Sequence, residues 1–120
     1  MMNRLSKALP KLVIPELLES VRVAHQEHLN TTSYAKHTAL QKYYETMPEL
    51  IDDYAEAYLG VYGRCEFSNP KRIDSILTEL PILHDKVITL TRETKEPDLA
   101  NKLQEISAFM KKIMYLLTLE

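Results

Sequence analysis

The chain has 120 residues, with 15 Lys and Arg against 17 Asp and Glu, four His, one Cys, no Trp and two Gly. That is the length of one domain with a single core, and 45% apolar with 27% charged residues exclude wholesale disorder or low-complexity structure. A net charge of -2 gives no global attraction to nucleic acid, and no apolar run approaches the roughly twenty residues of a membrane helix.

The first residues carry Arg4, Lys7 and Lys11, but Pro10, Lys11 and Pro15 break the apolar run behind them, so no signal peptide is read. Residues 1–14 are expected to form a basic N-terminal arm, and residues 15–120 a helical domain. Pro15 followed by Glu16 suits a helix start, and the first helix is expected to run to about Leu29. Asn30, Thr31, Thr32 and Ser33 then supply a turn and a capping hydroxyl.

A second helix is expected from about Tyr34 to Leu59, where Leu40, Tyr43, Met47, Leu50, Tyr54 and Ala57 recur three and four apart. Six tyrosines between Tyr34 and Tyr62 are amphipathic wedges for a bundle or an interface, and Pro48 should kink the helix. The pattern stops over residues 60–68, and Asn69 with Pro70 reads as the cap and first turn of a third helix. That helix carries Ile73, Ile76, Leu77, Leu80, Leu83, Val87, Ile88 and Leu90, with Pro81 as a second kink, and ends near Thr94. Pro97 and Asp98 open a fourth helix whose stripe of Leu99, Leu103, Ile106, Phe109, Met110, Ile113 and Leu117 runs to the C-terminus.

Four amphipathic helices with short connections predict an all-α four-helix bundle. Some nine residues between the second and third helices reach about 30 Å, less than the roughly 39 Å of a 26-residue helix, which favours up-down-up-down connectivity.

Three of the four histidines, His25, His28 and His37, fall in the first third of the chain, and the second helix supplies Asp52, Asp53 and Glu56. His37 follows His25 by twelve positions, Asp52 follows His37 by fifteen, and Glu56 lies one helical turn further on. This spacing, with the text Asp52-Asp53-Tyr54-Ala55-Glu56, resembles the ferroxidase pattern of the Dps family of miniferritins over about residues 21–60. The resemblance implies a ferritin-like subunit that oxidises and stores non-haem iron in a homo-oligomer. His25 and His37 would come from one subunit, Asp52 and Glu56 from its two-fold partner, and His28 would be an additional ligand.

A shared site also follows from helix length, because fifteen residues of continuous helix separate His37 from Asp52 by about 22 Å. At 100° per residue, Asp52 and Glu56 point away from the apolar stripe. His84 stands alone on the third helix, where packing is the default reading. Arg4, Lys7 and Lys11 are few charges, enough only for weak, salt-sensitive and sequence-independent DNA contact.

The second reading is a non-catalytic helical bundle that works as an interaction or assembly protein without a metal, such as a compact accessory protein of a phage or mobile element. Gln26 after His25, and Gln41 four places after His37, favour it, since the miniferritins usually have Trp and an acid there. Cys65 forms no internal disulfide, which fits a reducing cytoplasm. No phosphate-binding Gly loop, Ser-His-Asp arrangement or HExxH motif is present.

Overall fold

The computed structural model describes residues 4–119, with side chains from residue 9 onward. Four helices follow in chain order: α1 Arg4–Asn30, α2 Tyr34–Tyr62, α3 Ile76–Glu93 and α4 Pro97–Leu116. Each buries one apolar stripe. Val13, Ile14 and Leu17 come from α1, and Tyr43, Met47 and Ile51 from α2. The opposite pair of helices adds Leu80, Leu83, Val87, Leu103, Ile106 and Met110. The four-helix bundle expected from the sequence is the fold.

Helix boundaries depart from the sequence reading in two places. The first helix begins by Arg4, so no change of structure falls at residue 14, and both Pro10 and Pro15 lie inside it. A proline deep in a helix forfeits a hydrogen bond. Here Pro10, Val13, Ile14 and Pro15 are all buried, and this packing offsets that loss. The side chains of Arg4 and Lys7 lie outside the described residues, while Lys11 is exposed on the helix. The third helix starts at Ile76 and not at Pro70. Ile73 is in phase with the stripe and buried, but it reaches the core from the connection that precedes the helix.

That shift changes the topology. The thirteen residues between Tyr62 and Ile76 reach about 45 Å when extended, enough to return along the bundle. Three contacts show that they do. Glu27 near the end of α1 accepts a hydrogen bond from the Ile76 backbone N–H at 3.0 Å, so α3 starts where α1 stops. Lys86, further along α3, pairs with Glu16, further back on α1, at 2.8 Å. The α1 and α3 helices are therefore antiparallel. The last residues of α4, Leu116 and Leu119 beyond it, meet Ala35, Thr38 and Ala39 at the start of α2, so α2 and α4 are antiparallel too.

Around the bundle the order is α1, α2, α4, α3, with α1 diagonal to α4 and α2 diagonal to α3. Two antiparallel hairpins, α1–α2 and α3–α4, are thus joined by one long diagonal crossover. The up-down-up-down expectation is corrected: it rested on a connection counted four residues too short. A single crossover is also the connectivity of ferritin-like bundles, but connectivity alone assigns no function. The molecule measures 48 × 25 × 20 Å, with the helices along the long dimension.

A buried polar contact joins α1 to α2 across the core. Ser20 Oγ lies 2.6 Å from the Leu17 carbonyl, which can only accept, so the serine proton goes there and the Tyr43 hydroxyl donates to Ser20 Oγ at 2.7 Å. Burial pushes the Tyr43 pKa above its ordinary value. Replacing Leu83 by Ala should cost about 2–5 kcal/mol in urea unfolding, because a fully buried side chain is lost. Tyr43→Phe should cost only about 1 kcal/mol, since Ser20 keeps its bond to Leu17.

Candidate functional site

The sequence-predicted histidines meet at the α1–α2 corner. The turn at residues 31–33 is closed by Ser33, whose hydroxyl accepts from the Lys36 N–H and caps α2. Across this turn His28 and His37 form a reciprocal clasp. His28 Nδ1 lies 2.8 Å from the His37 carbonyl, and His37 Nδ1 lies 2.9 Å from the His28 carbonyl. Carbonyls only accept, so each Nδ1 carries a proton and each neutral ring presents Nε2 as an acceptor. The two rings stack with centroids 3.7 Å apart.

The chemistry of the clasp is that of a helix end. The last four carbonyls of a helix have no partner within it, and His28 belongs to the last turn of α1. His37 fills that need from the neighbouring helix. Tyr44 then reaches His28 Nε2 with its hydroxyl at 3.4 Å, and His25 stacks flat on Tyr44 at 3.9 Å. His28 is buried, whereas His25 is exposed.

Asp52 and Glu56 are far from this corner. Both are exposed on the outer side of α2, as the helical-wheel reading expected, and lie four and five turns along the helix from His37. One chain does not bring the four residues together. Among the described residues, no group of three or more His, Cys, Asp and Glu is placed to hold a metal ion.

Other features were missed in the sequence. His84, read there as solitary, places Nε2 3.1 Å from Ser107 Oγ on α4. Ser107 is buried among Leu103, Ile106 and Met110, and a serine within an apolar stripe was the available signal. Burial pushes the His84 pKa below its ordinary value of 6.5, and Lys111 pushes the same way against the smaller pull of Asp85.

The end of the bundle at the clasp also carries exposed apolar side chains. Leu29 and Tyr34 flank the α1–α2 turn and are 71% and 81% exposed. Leu77 opens α3 at the same end, and Tyr115, 62% exposed, and Leu119 lie where α4 finishes. Scattered apolar residues are ordinary on a surface, but five on an end of 25 × 20 Å are a concentration.

The fold and this corner define a small four-helix bundle whose histidines hold a hairpin shut. The chain belongs to a family of unknown function, DUF5856, which it matches over residues 28–117. It is 29% identical over 99 residues to an uncharacterized 14.6 kDa protein from the mobD-ri intergenic region of Enterobacteria phage T4, covering 80% of this chain and 77% of that protein. No solved structure matches the chain.

These relationships overturn the Dps resemblance and, with it, the reading of an iron-binding ferroxidase: the relatives are a family of unknown function and a phage protein, not miniferritins. At the corner it is His28, nine residues before His37, that bonds across the hairpin, while His25, the first histidine of the Dps-like spacing, stacks on Tyr44. None of the described helices is long and apolar enough to cross a membrane.

Two outcomes follow from the site. His28→Ala should lower unfolding stability by about 1–3 kcal/mol, because it removes a bond to His37 and leaves the Tyr44 hydroxyl without its acceptor; thermal melts of the variant check this. For His84 the folded pKa lies below the unfolded one, so the unfolded chain binds more protons and stability falls as pH drops below about 6.5. The melting temperature of the wild type should therefore fall more steeply than that of His84→Gln between about pH 7 and about pH 5.

Proposed function

We propose that this protein is a non-catalytic helical-bundle interaction protein of phage type, which associates through the end of the bundle where α1 stops and α2 begins. The concentration of exposed apolar side chains there carries the reading. Leu29, Tyr34, Leu77, Tyr115 and Leu119 leave apolar area in water that a partner surface would remove, and two of the five are tyrosines, a residue type enriched at the centres of interfaces.

The partner is a second copy of the chain. A two-fold contact uses the same patch twice and needs no complementary charge, which suits an end whose exposed large residues are apolar. The clasp matters to this role because it holds Leu29 and Tyr34, which flank the turn, in a fixed relation. The likeness to the T4 protein supports the phage setting.

Light scattering across a concentration series tests the proposal. The wild type should approach twice the chain mass of 13.9 kDa, and Leu29→Glu or Tyr34→Ser should weaken association by at least about tenfold while leaving the helical circular dichroism unchanged. A wild type that stays at 13.9 kDa at every concentration would sink it.

A further inference from the structure

A groove of about 460 Å³ lies between α3 and α4, on a different part of the molecule from the apolar end. Its rim carries Arg92 from the last turn of α3 and Lys111 from α4. Its polar lining is Thr91, Gln104 and Ser107, and Ile88 and Ala108 supply apolar surface. No carboxylate lines it, and among the described residues neither Arg92 nor Lys111 takes part in an ion pair.

We propose that this groove is a binding site for a small organic anion, one carboxylate or phosphate group on a short apolar body, held by Arg92 and Lys111 with its body against Ile88 and Ala108. Three observations support it. The volume falls within the range of small-molecule sites, about 300–1,000 Å³. The two cations carry charge and donors but no acceptor, so an anion completes them. Ser107 is buried, with its hydroxyl engaged by His84 Nε2 at 3.1 Å, which fixes the polar wall beneath the cations.

Lys111 and burial both disfavour a positive charge on His84, while Asp85, on the same helix, opposes them. An anion near Lys111 would lie beside an imidazole whose positive form is already disfavoured. The exposed stems of Arg92 and Lys111 add apolar surface of their own.

The test is a two-dimensional NMR titration of the full chain with three probes: hexanoate, acetate and hexylammonium. Hexanoate should give saturable shifts at Ile88, Arg92, Ser107, Ala108 and Lys111. It should bind at least about tenfold tighter than acetate, the gain from burying two or three methylenes. Hexylammonium, with the same apolar body and the opposite charge, should give no saturable shift. In the double variant Arg92→Gln, Lys111→Gln, with helical content unchanged, hexanoate affinity should fall at least about tenfold. Equal responses to hexanoate and hexylammonium would reduce the groove to a patch of apolar adsorption, and linear shifts or unchanged affinity in the double variant would overturn the site. None of these readouts depends on the oligomeric state.

Discussion

The C-terminal end of α1 has to receive the start of two other helices at once, because α2 leaves it through a three-residue turn and α3 is delivered to it by the crossover from the far end of α2. Helix ends meeting at one place bring unpaired carbonyls and N–H groups together. The chain answers with side chains from two adjacent positions in the last turn of α1. Glu27 takes the Ile76 N–H at the start of α3, and His28 exchanges hydrogen bonds with His37 on α2. An acid beside a helix N-terminus is also favoured by the helix dipole. Two adjacent residues of α1 thus join it to both neighbours, and the diagonal helix α4 reaches the assembly through α2 and α3.

His25 and His37, the histidines of the metal-like spacing, both lie at this corner. In any helical hairpin with a short turn, residues a few places before and after the turn face each other, so a histidine late in α1 and one early in α2 fall within contact distance whatever their purpose. Whether such a pair binds an ion depends on where the nitrogens point. Here both Nδ1 atoms are engaged by backbone carbonyls, and among the described residues no group of three or more His, Cys, Asp and Glu is placed to hold an ion. The carboxylates Asp52 and Glu56 recur one turn apart on the exposed side of a long helix, where acids need no further cause. Spacing along the chain therefore constrained which residues would be neighbours, and left open which atoms they would offer.

Much of the fold was readable because burial imposes a period of 3.6 residues on each helix. Tyr34 as the first residue of α2 and Pro97 as that of α4 stand where the sequence placed them, since a capping serine and a first-turn proline act locally. The start of α3 was not readable. Ile73 lies three residues before Ile76 and so continues its stripe, although it belongs to the crossover; periodicity cannot tell an apolar residue in a helix from one in a strap lying over the core. That misplacement shortened the connection and made up-down-up-down connectivity look easier than a crossover. Similarly, Pro10 and Pro15 looked like breaks because their cost is local, whereas the burial that offsets it is tertiary.

The distribution of polar groups over the surface separates two regions with different physics. At the clasp end, Glu27 and His28 bond across to α3 and α2, and five large apolar side chains are exposed. Along the α3–α4 seam the groove carries Arg92 and Lys111 with Thr91, Gln104 and Ser107, and Ser107 bonds His84, whose positive form burial disfavours. Water leaves the first kind of surface readily and hydrates the second, so the first suits a broad, non-directional contact and the second a small charged one. The regions lie on different faces and share no residue, so perturbing one should leave the other in place, as independent sites separated in space are expected to behave. A bundle this small can hold both because the bonds that join its helices at the corner, among Glu27, His28, His37 and Ile76, use none of the residues of either region.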